Sequence, residues 1–260
     1  MVIYTFDGSF HGLLTAIFDS FVRKQSAVRL TEEKRFEPTF FSTSVRIVTD
    51  PDKAKRVWMG LKKKLVGEEQ QRFYKAFLSE DPAIYQHLFN FAQYVFYNPS
   101  GYAENYGNAD VLAMTQAAQK VHREKHRMEA FVRFKKHQNG LFIASVNPDF
   151  NVLPLICQHF RNRYADQPWL IYDDRRAYGI YYDGNTVCEV VLSSKPKEYT
   201  RHDGLEIGLD GCEQLYATLW GDYFRSTNIV ERKNTKLHLQ HVPKRYWRYL
   251  TEKLDDLGLV

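Results

Sequence analysis

Two groups of side chains in this sequence have types and spacings that can do chemistry. The first is His159, Arg161 and Arg163, followed by Asp166, Gln167 and the charged run Asp173-Asp174-Arg175-Arg176. On a helix His159 and Arg163 stand four apart on one face, while Ile156, Phe160 and Tyr164 form another that can pack on a sheet. A histidine and arginines beside the strand-end carboxylate Asp173 suit proton transfer, or recognition of a phosphate or a polar base edge. A structural Arg163–Asp173 pair is the alternative. The second group is His122-Arg123-Glu124-Lys125-His126, whose imidazoles share a helical face and can reach one ion. Its glutamate follows the first histidine by two positions, unlike HExxH, and points off that face. The expectation is therefore a pair at a helix end, meeting the carbonyl dipole, with no metal and no cofactor. His126 can still join the first group.

A third group is defined by charge. The chain carries a formal +5. From Tyr223 to Lys253 there are eight Lys or Arg against two Glu, so this segment alone accounts for the excess. Arg232, Lys233, Asn234 and Lys236 lie in an irregular connector, and Lys244, Arg245, Tyr246 and Trp247 open a final helix. Cations that neutralise phosphates and rings that stack on bases are the two main sources of nucleic-acid affinity. Tyr246 and Trp247 are adjacent, so about 100° separates them on a helix and at least one faces the core. A solvated basic helix anchored by its aromatics is the alternative.

The elements that must position these groups follow from periodicity. Val2 to Phe6 suits a strand turned by Asp7-Gly8, and Phe10, Leu13, Leu14, Ile17, Phe18 and Phe21 line one face of a helix capped by Ser9 or Asp7. Phe41 to Ile47 alternates as a strand into Thr49-Asp50-Pro51, a cap followed by proline at the first helical position. Residues 51–127 read as almost wholly helical, punctuated by Gly67, Pro82 and Asn98-Pro99. At Met128 the period changes from 3.6 to 2. Met128 to Phe134 alternates, Gln138-Asn139-Gly140 turns, and Leu141 to Val146 returns as a hairpin. A helix over Leu153 to Tyr164 precedes strands at Trp169 to Tyr172, Tyr178 to Tyr182 and Val187 to Leu192. Helices around Cys212 to Phe224 and from near Pro243 close the chain.

The 260 residues can form one unit or two interlocked halves, and 44% hydrophobic with 26% charged residues excludes disordered and collagenous classes. No apolar run is long enough to span a bilayer, and the N-terminus has no basic and apolar leader pattern, so a cytoplasmic protein is expected. Cys157, Cys188 and Cys212 show no CxxC spacing, which fits reduced thiols. The sequence contains no GxxxxGK[ST], GxGxxG or GxSxG, so nucleotide-cradling loops and a serine nucleophile elbow have no support.

Several stretches resemble a bacterial family of DNA-metabolism proteins of unknown function. They are His126 to Phe134; Asn147-Pro148-Asp149-Phe150-Asn151-Val152-Leu153-Pro154-Leu155; His159-Phe160 with Arg163-Tyr164, Asp166-Gln167, Trp169, Ile171 and Asp173; and Arg176 with Tyr178-Gly179. The opening Tyr4, Asp7-Gly8-Ser9-Phe10, Gly12-Leu13-Leu14 and the late Asn234, Lys236-Leu237, Pro243, Arg245-Tyr246-Trp247 are similar to the same family. The resemblance implies a role in DNA repair or modification beside a radical-SAM enzyme, and kinship with domains fused to uracil-DNA-glycosylase-like domains. This chain has no CxxxCxxC run to hold a radical-SAM cluster. Under that resemblance the hard chemistry belongs to the partner, and the basic C-terminal stretch becomes a DNA contact.

Three functions follow as expectations. The first is a DNA-binding accessory protein that recruits a radical-SAM enzyme. The second is an enzyme acting on a base or backbone through His159, Arg163 and Asp173, with His126. The third is a protein-interaction module whose basic tail meets an acidic partner. The expected fold is α+β: a helical region with an N-terminal strand over residues 1–128, then a mainly antiparallel, roughly five-stranded sheet with a crossover helix and basic C-terminal helices over 129–260. The first strand and the stretch near Phe41 are expected to join that sheet.

Overall fold

The computed structural model describes residues 2–38, 43–99, 101–138, 140–191, 219, 239 and 241–253. The fold is α+β, and the chain divides into two compact units, Met1–Arg123 and Glu124–Val260.

In the first unit β1 (Val2–Phe6) leads through Asp7-Gly8-Ser9 into α1 (Phe10–Val22). Ser9 caps that helix, its Oγ accepting the Gly12 amide at 2.9 Å. β2 (Val28–Glu32) and β3 (Thr43–Arg46) flank β1 on either side, both parallel to it. This corrects the expectation that β1 and the stretch near Phe41 join the later sheet. β1 is instead the centre of a separate three-stranded sheet, paired with β3 on one side and on the other with β2, where Val28, Leu30 and Glu32 alternate inward and which periodicity alone does not pick out. Helices α2 (Pro51–Lys64), α3 (Gly67–Phe77) and α4 (Pro82–Tyr97) follow. Asp50 and Asp81 cap α2 and α4 just ahead of prolines whose missing N–H costs nothing there. Tyr4, Phe6, Leu13, Ile17, Leu61, Phe73, Leu88 and Phe91 form a continuous core.

α5 (Ala109–Phe131) runs past the point where the alternation at Met128 predicts a strand. The reason is visible in its buried stripe. Val121, Met128 and Val132 are buried, and the Val132 amide still bonds to the Met128 carbonyl at 3.1 Å, so three- and four-residue steps take precedence over a short alternation. The hairpin therefore shrinks to β4 (Lys135–Lys136) against β5 (Phe142–Val146).

In the second unit β5, α6 (Leu153–Arg163) and β6 (Trp169–Asp173) form a crossover that makes β5 and β6 parallel neighbours. β7 (Tyr178–Tyr182) and β8 (Val187–Val190) add antiparallel strands, so the five-stranded sheet, ordered β4-β5-β6-β7-β8, is mixed. Leu153, Ile156, Phe160, Trp169 and Ile171 are buried along it. The helix expected from near Pro243 is present as a 3-10 helix, Lys244–Tyr249. The helix expected around Cys212 to Phe224 lies outside the described residues. Among the described residues no helix is long and apolar enough to cross a membrane.

Candidate nucleic-acid interface

The loop 147–152 leaves the carboxyl end of β5 and enters α6, beside the carboxyl end of the parallel strand β6. Loops at the carboxyl ends of parallel strands are where open α/β sheets commonly place their ligands. Here the neighbouring strand ends are stitched together by the Asp174 amide, which donates to the Val146 carbonyl at 3.0 Å.

Three elements hold this loop. From α5 comes Glu124, only 1% exposed, whose Oε1 accepts the Asp149 amide at 3.0 Å. From the β6–β7 turn come two arginines. Asp173 is fully buried at the end of β6, and its Oδ1 accepts the amides of Arg175 and Arg176 at 2.9 and 3.1 Å. Its Oδ2 takes Nη1 of Arg176 at 2.8 Å, and that guanidinium also donates to the carbonyls of Pro148 and Asp149. Arg175 reaches the Asp149 carbonyl through Nη1 at 3.1 Å. From the C-terminal 3-10 stretch, Nη2 of Arg245 sits 2.7 Å from the Asp149 carboxylate and 3.3 Å from Glu124.

The electrostatics follow from this packing. Burial pushes the Tyr246 phenol well above its usual value, and the adjacent Glu124 carboxylate adds to the effect. Burial works against the Arg245 charge. It is outweighed by the hydrogen bond to Tyr246 and the attraction of Asp149 and Glu124, so the guanidinium is held above its usual value.

The result is two arginines, 175 and 245, fastened to one residue, Asp149. Arg175 is exposed and the Arg245 side chain is 43% exposed. Among the described residues Arg175 Nε and Nη2, and Arg245 Nε and Nη1, make no hydrogen bond or ion pair, while the Arg245 guanidinium lies 4.6 Å over the Tyr246 ring. A guanidinium with one nitrogen anchored and its other donors open is oriented for a phosphate oxygen at reduced entropic cost. On the same 3-10 stretch Lys244 and Arg248 are exposed, and the half-buried Trp247 indole lies 5.8 Å from Lys244 Nζ.

The expected contacts fare differently. Lys244, Arg245 and Trp247 are at the surface or half-exposed. Tyr246 is 1% exposed and packs its ring 5.3 Å from Phe131, so it cannot stack on a base; this corrects its assignment as a contact. Arg232, Lys233, Asn234 and Lys236 lie outside the described residues.

The expected His159, Arg163, Asp173 site does not converge. Asp173 has both oxygens engaged by the turn and by Arg176, which takes the place expected of Arg163. Arg163 is exposed and lies over the Tyr164 ring at 5.7 Å. His159 and His126 instead share Glu129: their Nδ1 atoms lie 3.8 and 3.4 Å from its oxygens, beside Lys125 Nζ at 2.6 Å. No group of three His, Cys, Asp or Glu suited to a metal occurs among the described residues.

Sequence reasoning names Glu124, Asp149 and Arg175 but does not bring them together or give them this role. A signal for Glu124 was present, because it interrupts the apolar stripe three residues after Val121 and four before Met128. Asp149 and Arg175 carry none, since nothing in one sequence pairs a loop carboxylate with a distant turn.

The profile of a family described as a domain of unknown function, DUF4130, matches residues 82–252. No curated protein and no solved structure matches the chain.

Proposed function

We propose that this chain, which belongs to the DUF4130 family, is a DNA-binding accessory protein in DNA repair or modification that works beside a radical-SAM enzyme. The observation that carries the DNA-binding part is the exposed Arg175, held by the Asp149 carbonyl with no carboxylate partner among the described residues, beside Arg245, whose charge is shared with Asp149 and Glu124. Lys244, Arg248 and Trp247 on the adjoining stretch extend it with further charge and a ring. The radical-SAM partner rests on the resemblance described above alone; this sequence has no cluster-binding CxxxCxxC run of its own. This chain would supply grip and placement while the partner supplies the reaction.

Fluorescence anisotropy of the full chain with single- and double-stranded oligonucleotides, over a salt series, tests the reading. Binding should weaken steeply with salt, and Arg175→Ala should lower affinity and reduce the log–log salt slope by about one. Lys244→Ala with Arg248→Ala should lower affinity and reduce the slope by about two without unfolding the protein, because both side chains are exposed. Absence of binding at low salt, or unchanged slopes in both variants, overturns it.

A second reading is catalysis on a base or backbone, favoured by the meeting of His126 and His159 on Glu129. It requires turnover of damaged or mismatched DNA that His159→Ala abolishes.

A further inference from the structure

The first unit carries a surface that DNA binding leaves unused. Phe18, Phe21 and Val22 of α1, Arg56 and Val57 of α2 and Phe96 of α4 line a shallow, open groove. Its floor is built in. A Cβ on Gly60 would lie 2.9 Å from Cε1 of Phe96, so glycine lets the end of α4 approach α2. Lys64 Nζ then donates to the carbonyls of Val95, Phe96 and Asn98, fixing that end. The groove continues onto exposed apolar surface: Val22 is 66% exposed, and Tyr97, 71% exposed, packs its ring 5.4 Å from Phe21. Contiguous apolar surface of this kind marks an interaction site, unlike scattered single residues.

The charge around it is mainly positive. The Arg56 guanidinium lies 4.9 Å over the Phe18 ring, and Arg23 and Lys24 directly follow Val22. None of these three meets a carboxylate among the described residues. Lys53, also over Phe18, is the exception, being paired with Asp19 at 2.8 Å. The whole of α2 holds six Lys or Arg against one Asp.

We propose that this groove docks an acidic amphipathic helix of a partner protein. A concave apolar trough receives the apolar face of a helix through anchors spaced i, i+3, i+4 and i+7, and a cationic rim complements carboxylates on its flanks. A nucleic-acid strand fits less well. Phe21 and Phe96 meet edge to face at 5.5 Å, and Arg56 covers Phe18, so these rings are engaged with each other and with the protein's own cation.

Calorimetry on the full chain tests this with a synthetic helix about five turns long, carrying Leu at the anchor positions and Glu elsewhere. The same peptide with Lys in place of Glu, an oligo-dT strand and phosphatidylglycerol vesicles are the comparison arms. The Glu peptide should bind, and Val22→Glu and Arg56→Glu should each weaken it by about tenfold or more with circular dichroism unchanged. Arg175→Ala should leave it untouched, which separates this result from that of the DNA-binding test. Equal binding of the Lys peptide, no binding of the Glu peptide, insensitivity to Val22→Glu, or loss of oligo-dT or vesicle binding on Val22→Glu overturns the proposal.

Discussion

The Tyr246 hydroxyl lies 2.6 Å from both carboxylate oxygens of Glu124, across 122 residues of sequence. Glu124 is buried on what would otherwise be an apolar helical stripe, and a charge there persists only if donors surround it. They do: Tyr246, the Asp149 amide, and Arg127 and Arg245 at 3.4 and 3.3 Å. Tyr246→Phe removes one donor while keeping the ring. It should destabilise the protein by about 1–3 kcal/mol in urea unfolding. A loss near zero would mean that water replaces the phenol.

Arg176 and Arg175 are neighbours with opposite expected phenotypes. Arg176, with its side chain 9% exposed, satisfies the buried Asp173 and two loop carbonyls. Arg176→Ala leaves that carboxylate without its charged partner and should cost about 3–5 kcal/mol in a denaturation experiment. Arg175→Ala, at an exposed position, should shift stability by no more than about 0.5 kcal/mol. Equal effects on stability would contradict this division of labour.

At the start of α1 the fold leaves no room for a side chain. A Cβ on Gly12 would stand 2.3 Å from Asp7 Oδ1 and 3.0 Å from Thr49 Oγ1, whereas one on Gly67 meets nothing within 4 Å. Gly12→Ala should cost about 1–3 kcal/mol through forced displacement of Asp7. Gly67→Ala should be neutral or stabilise by about 0.4–1 kcal/mol through a less flexible unfolded chain. Thermal unfolding of the two variants side by side checks the contrast.

Asp7 also predicts a pH dependence. Partial burial works to raise its pKa, but hydrogen bonds from Ser9 and Thr49 outweigh it, and the carboxyl is held below the usual carboxylate range. A pKa lower in the folded than in the unfolded chain stabilises the fold fully above the unfolded value, about 3.9. That contribution is lost as pH falls through the folded value. A carbon-detected NMR titration should place the Asp7 midpoint below about 3.9, and Thr49→Val should move it upward by removing the 2.7 Å hydroxyl contact. A midpoint that Thr49→Val leaves unchanged would show that this hydroxyl does not set it.

What one sequence determines is local. Ser9, Asp50-Pro51 and Asp81-Pro82 mark helix starts because a cap and a proline act within a few residues of themselves. The crossover helix and the strands from Trp169 onward are legible from period and turns, and with them the α+β class. The end of α5 is not, because Met128 to Phe134 satisfies both periods and only the packing of Met128 and Val132 selects one. The parallel sheet around β1 is not either, since strand neighbours joined by long crossovers leave no local mark. The charge of α2 stands in plain view but disappears when charge is summed over long stretches. The candidate interface is tertiary throughout. Glu124, Asp149, Arg175 and Arg245 come from four separate segments, and His159, Arg163 and Asp173, close in sequence, part company because Arg176 reaches Asp173 from within its own turn. Long-range pairing of this sort is settled by which donors a buried carboxylate can reach once the chain has folded, and sequence spacing alone does not contain that distance.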